Sequence, residues 1–176
     1  MRLRHTLVTL TAVTLMLAGC GNNSANSPQA AGPAAATSAA EKALAPAPPM
    51  DSKAVLAKLT AAKLGATHGA VQDEDNDPND LLGRPNGYTS RASADLPGGD
   101  TEAGKYGIDR SLVIEVWPTA DDADRRSKFI QDTLKNMQIL GTEYHYRADQ
   151  GRVLVRVSGK VKPSLAKKVE AAAAGL

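Results

Sequence analysis

A change of composition near residue 50 decides which part of this chain can fold. Residues 21–49 are almost wholly Ala, Pro, Ser, Asn, Gly and Thr, with a single acid-base pair at Glu41 and Lys42. Such a stretch buries too little apolar surface to offset the entropy lost on ordering, so it is expected to be a disordered tether. As a flexible coil its roughly 29 residues have an r.m.s. span of about 30 Å. Folding is left to residues 50–176, enough for a single domain around a single core. The one cysteine, Cys20, precedes the tether, so no intramolecular disulfide can form and the domain must be held by apolar burial.

Ahead of the tether, Arg2 and Arg4, with His5, make a positively charged start, and residues 7–17 form an apolar run broken only by Thr9, Thr11 and Thr14. A run of about 11 residues rises about 17 Å as a helix, well short of the roughly 30 Å hydrocarbon core, so it is expected to be a cleaved signal and not a span. It is followed by Leu17-Ala18-Gly19-Cys20. That order resembles the lipobox of bacterial prolipoproteins. The resemblance implies a signal peptide over residues 1–19, cleavage between Gly19 and Cys20, and diacylglycerol and palmitate on Cys20 at the head of a tether over residues 20–49. It places the mature protein on the extracytoplasmic face of the cell membrane. Two acyl chains hold where one binds only marginally, because each buried methylene contributes about 0.8 kcal/mol.

The signal takes Arg2 and Arg4 away and no acid, so 21 basic residues fall to 19, against 19 acidic, and the mature chain is neutral. A neutral chain offers no overall electrostatic case for nucleic acid, and Trp117, Phe129 and four tyrosines are too few to build a base-stacking platform. Local charge is less even. From residue 147 onward Arg147, Arg152, Arg156, Lys160, Lys162, Lys167 and Lys168 stand against only Asp149 and Glu170. That balance suits anionic headgroups or wall polymers, the acidic loop of the same chain, or plain solvent.

Within the domain, Asp51 or Ser52 can cap a helix carrying Val55, Leu56, Leu59 and Ala62 on one side and stopping at Gly65. The stretch that follows reads as irregular through Gly87, with five acids crowded around a proline in Asp73-Glu74-Asp75-Asn76-Asp77-Pro78-Asn79-Asp80. Residues 88–96 are expected as a strand ended by Pro97-Gly98-Gly99. The clearest strand is 111–117, where Leu112, Ile114 and Val116 alternate with Val113, Glu115 and Trp117; apolar on both faces, it should be central in its sheet. Thr119 and Asp122 form a capping pair for a helix whose Ile130, Leu134 and Met137, with Phe129 beside them, should face the core. Residues 142–148 and 152–158, joined by Asp149-Gln150-Gly151, read as a hairpin with Val153, Val155 and Val157 inward and Arg152, Leu154 and Arg156 outward. Pro163 opens a last helix with Leu165, Val169 and Ala172 in its stripe. The expected class is α+β, a mainly antiparallel four-stranded sheet with helices packed on it, in the order α-β-β-α-β-β-α.

Motifs that would carry chemistry are weak. Asp73, Asp75 and Asp77 reproduce the first three ligand spacings of an EF-hand loop, but the sixth position is Pro78 and the twelfth Arg84, where glycine and glutamate belong. They are weak candidates for calcium, and a solvated acidic loop is the simpler reading. Ser164-Leu165-Ala166-Lys167 matches Ser-x-x-Lys without the companion signatures of penicillin-binding enzymes, so Ser164 reads as a first-turn helix residue. After cleavage only His68 and His145 remain, with no hydrolase or metalloprotease motif around them. An acid-base role for His145 would require a buried polar cluster; otherwise it is an exposed strand residue.

The run from Asn76 through Asn79-Asp80-Leu81-Leu82-Gly83-Arg84-Pro85-Asn86-Gly87 to Tyr88, with Leu140-Gly141-Thr142-Glu143-Tyr144 and Val153-Leu154-Val155-Arg156-Val157-Ser158-Gly159, resembles a group of small uncharacterised actinobacterial lipoproteins. The resemblance implies the anchor and carries no activity, cofactor or catalytic residue. The expected function is a membrane-anchored binding or interaction module engaging a protein or cell-wall component, not an enzyme, with Arg84 and Tyr88 as the first ligand-binding candidates. The alternatives are an enzyme with an unfamiliar site and a calcium-stabilised surface protein.

Overall fold

The computed structural model describes residue 48 and residues 50–176. The signal, Cys20 and all but one residue of the tether lie outside the described residues. The domain runs α1 (Ser52–Ala61), β1 (Thr67–Gln72), β2 (Ser90–Asp95), β3 (Ser111–Val116), α2 (Ala120–Asn136), β4 (Glu143–Ala148), β5 (Val153–Ser158) and α3 (Pro163–Ala174). The class is α+β as expected, but the antiparallel sheet has five strands, not four, in the order β1-β2-β3-β5-β4.

The additional strand is β1, Thr-His-Gly-Ala-Val-Gln, inside the stretch that reads as irregular. It lacks a run of branched apolar residues, and its register on β2 shifts between Thr67 and Ala70, where His68 takes φ 49°. A bulged edge strand is held by its neighbour's backbone and needs little apolar alternation of its own.

Caps and stops follow local chemistry. The Asp51 carboxylate accepts from the Ala54 N–H at the start of α1, and the Thr119 hydroxyl accepts from the Asp122 N–H at the start of α2. Gly65 sits at φ +78° just beyond α1, a conformation that costs glycine little. Strand β3 is central, flanked by β2 and β5, and every one of its residues is buried.

Alternation along the strands gives the sheet two different faces. Ala92, Ala94, Leu112, Ile114, Val116, Val153, Val155 and Val157 form the main core with Val55 and Leu59 of α1 and Ala166, Val169 and Ala173 of α3. The opposite face is covered by α2 and the loop before β2, through a smaller cluster of Leu82, Tyr88, Trp117, Ala123 and Leu154. Leu154 and Arg156, expected to face out, are therefore 0% and 6% exposed. The expectation for α2 needs a similar correction. Ile130 is buried and Leu134 half-buried, but Phe129 is 64% and Met137 51% exposed, because α2 meets the sheet along the line of Ala123, Arg126, Ser127 and Ile130.

Candidate functional site

The face under α2 carries a row of polar side chains that crosses the whole sheet. Strand register creates it: Gln72 lies opposite Arg91, Arg91 opposite Glu115, and Arg156 opposite His145, all on one side of the pleat. Arg91 donates to the Gln72 side-chain oxygen at 2.8 Å and to the Tyr106 carbonyl at 2.7 Å. Arg156 donates to Glu115 at 2.8 Å and grips both Glu143 oxygens at 2.8 Å each. His145 Nε2 lies 3.0 Å from Glu143, and its Nδ1 lies 2.7 Å from the Ser127 hydroxyl of α2. Arg126 of α2 closes the row, its Nε 3.5 Å from Glu115.

Burial and pairing set the protonation of this row. Burial would raise the Glu143 carboxyl, but hydrogen bonds from His145 and Arg156 outweigh it and bring it down to about 2. Burial works against the Arg156 charge, and Glu143 and Glu115 reverse that, leaving the guanidinium held above its usual value. For Arg91 the balance falls the other way: burial lowers it, and Tyr88, Asp77 and Glu115 restore only part.

These shifts give a sign for acid stability. A carboxyl depressed in the folded state stabilises the fold above its unfolded value near 4.5, and that stability is lost as pH falls toward 2. Asp77, also held low, adds to the same window. Chemical denaturation midpoints should therefore drop steeply between those limits. In Glu143→Gln the midpoint at neutral pH should be lower and the acid slope shallower; an unchanged slope would remove Glu143 from the account.

Ser127, His145 and Glu143 stand in the order nucleophile, base and orienting carboxylate. The buried cluster that an acid-base role for His145 requires is thus present. Other features argue against catalysis there. The side chains of His145 and Glu143 are each 6% exposed. Ser127 lies inside α2, where backbone N–H groups are spent on helix carbonyls and cannot form an oxyanion hole. Two grooves open nearby, of about 590 Å³ and 530 Å³, and neither has Ser127 or His145 in its wall.

The loop before β2 contains the other sequence candidates. Tyr88 is fully buried, its ring edge-on to Trp117 at 5.5 Å and its hydroxyl donating to the Asp77 carboxylate at 2.5 and 2.6 Å. It has no exposed face for a ligand, contrary to the expectation from sequence, and instead packs the loop onto the sheet. Arg84 is on the surface and pairs with Asp80. Asp77 is equally committed, accepting from the N–H groups of Asn79, Leu81 and Leu82. Asp73 instead accepts from the N–H groups of Asp75 and Asn76. Asp73, Asp75 and Asp77 do not converge, and among the described residues no group of three or more His, Cys, Asp or Glu side chains is placed to hold a metal ion.

The basic stretch from residue 147 onward also divides. Arg156 is spent on Glu115 and Glu143, Arg147 pairs with Asp124, Arg152 with Asp149, and Lys160 with Asp100 and Asp109. What sequence reasoning missed is the row itself. A signal was available in Glu115, a lone charge in the most apolar strand, which can be buried only with a partner.

Beyond the row, the surface feature that stands out is the end of α2. Phe129, Met137, Ile139 and Leu140 are exposed, Ile139 to 91%. Residues 138–142 separate the two grooves, one bounded by Leu134 and Lys135 and the other by Ile108, Gly159 and Lys160. Fold and site together define a small α+β domain with a main apolar core on one face of the sheet and, on the other, a smaller apolar cluster and a buried ionic layer. No family model matches the chain, and no curated protein or solved structure is significantly similar to it.

Proposed function

We propose that this chain is an exported lipoprotein, anchored to the outer face of the cell membrane through diacylglycerol on Cys20, and that its domain is a binding module and not an enzyme. The anchor rests on the order Leu17-Ala18-Gly19-Cys20 behind a short apolar run. The observation that supports a binding role is the exposed apolar tip at Met137, Ile139 and Leu140, flanked by two grooves. Isolated surface leucines are ordinary, but a contiguous apolar tip rimmed by polar groups is the form that protein-contact sites take. The partner is a protein or a cell-wall component.

Two readouts test this reading. Growth with a clickable fatty-acid analogue should label the wild type and not Cys20→Ala. Crosslinking in intact cells, followed by recovery and mass spectrometry, should yield a partner that Ile139→Asp/Leu140→Asp loses at unchanged melting temperature. Equal recovery from that variant would remove the tip. A second reading, acyl transfer at Ser127, is favoured only by its 2.7 Å contact with His145. A fluorophosphonate probe that labels wild type and not Ser127→Ala would replace the binding module with a hydrolase.

A further inference from the structure

The tertiary structure joins two basic segments that are far apart in sequence. Helices α1 and α3 touch and lie side by side on the core face of the sheet. Lys53 and Lys58 lie on α1, Lys53 on its flank toward β1, Lys167 and Lys168 lie on α3, and Lys63 and Lys162 lie within two residues of the helix ends, all exposed. The only acids in these two segments are Asp51, which caps α1, and Glu170. The six lysines have no ion pair among the described residues, in contrast with Lys160, Arg84, Arg125 and Lys128, which each have an acidic partner. The acidic loop does not neutralise this surface, because Asp77 fixes it to Tyr88 and Arg91 on the opposite face of the sheet. Among the described residues the lysines without an ion pair are these six, together with Lys105 beside Tyr106 and Lys135 on α2, so most of the unpaired charge lies in or next to the two helices.

The described residues begin beside the start of α1. Met50, held by its N–H to Asp149, is two residues ahead of α1. We infer that the α1/α3 face docks on the anionic phospholipid headgroups of the membrane that holds the anchor. This inference rests on the anchoring proposed above and adds an orientation to it. Between the lysines the exposed helix positions include Ala54, Ala57, Ala61, Ala171 and Ala174, short side chains that let a flat charged surface approach the cations closely. Docking by this face turns α2 and its apolar tip away from the lipid and toward incoming partners.

The test uses the mature-length chain, residues 20–176, with Cys20→Ala so that no acyl chain inserts. It should sediment with vesicles of phosphatidylcholine containing roughly one third phosphatidylglycerol, and not with phosphatidylcholine alone. About 1 M sodium chloride, where the screening length is ~3 Å, should release it. Lys58→Gln/Lys167→Gln/Lys168→Gln should weaken partitioning about a hundredfold. Lys105→Gln/Arg125→Gln/Lys128→Gln, which removes the same charge elsewhere, should leave partitioning within a few-fold of wild type. Equal loss in both triple variants would mean attraction by net charge alone and would overturn the docking face. So would absence of vesicle binding, or binding only to a poly(glycerol phosphate) polymer. Fatty-acid labelling of Cys20 in cells is read separately, so a failed docking face and a failed anchor are told apart.

Discussion

Glu115→Ala is expected to cost about 3–5 kcal/mol and lower the melting temperature by on the order of 10–20 °C. Glu115 is 0% exposed at the centre of β3, with Arg156 donating to one oxygen at 2.8 Å and Arg126 lying 3.5 Å from the other. Truncation takes the carboxylate from Arg126 and from one N–H of Arg156, which keeps its two bonds to Glu143, and leaves a small cavity between the buried charges. The charge dominates over lost packing, so Glu115→Gln, of nearly the same shape, should recover only a minor part. In a double-mutant cycle with Arg156→Met the two losses should be strongly non-additive, because each variant removes the same pairing. Melting by circular dichroism measures this. Additive losses would show that the row is a set of independent contacts.

The next largest effect is expected at Asp77→Ala, about 3 kcal/mol. One carboxylate there receives the Tyr88 hydroxyl and the N–H groups of Asn79, Leu81 and Leu82, and it lies 3.5 Å from the Arg91 Nε. Removing it orphans buried donors, each of which costs about 1–3 kcal/mol when left unsatisfied, less what loop relaxation recovers. Hydrogen exchange should accelerate across residues 77–88 before it does so in α1 or α3, since the loop is tied to the α2 face and not to the main core. Asp73→Ala, at an exposed position, should cost less than about 1 kcal/mol. Calcium should leave the melting temperature unchanged, because a cation at Asp77 would have to displace donors already in place. A rise in melting temperature with calcium would restore the acidic loop as a metal site.

Much of the architecture was legible in sequence because it rests on local chemistry. The Thr119 cap, Pro163 at a helix start, the hairpin around Asp149-Gln150-Gly151 and the doubly apolar strand at Leu112, Ile114 and Val116 all lie where short-range pattern puts them. Strand β1 was not legible, since a bulged edge strand takes its conformation from its neighbour. Nor was the direction of Phe129 and Met137, because an amphipathic pattern specifies that a helix has an apolar side but not how far along its length a sheet extends beneath it. Tyr88 reads in sequence as the first residue of a strand and a ligand-binding candidate; β2 begins at Ser90, and packing against Trp117 makes Tyr88 core.

Sequence alone determined where a fold is possible, the absence of any intramolecular disulfide, the class of the domain and the expectation of a lipid anchor at Cys20. These follow from composition and from motifs a few residues long. Tertiary structure alone decided which charges are spent and which are free. Arg156 and Lys167 are equivalent in a count of basic residues, yet one is sealed between two glutamates and the other stands exposed on α3 with no ion pair among the described residues. The reason is that a charge's energy depends on the dielectric and on the partners within a few ångströms, and sheet register and helix packing set both.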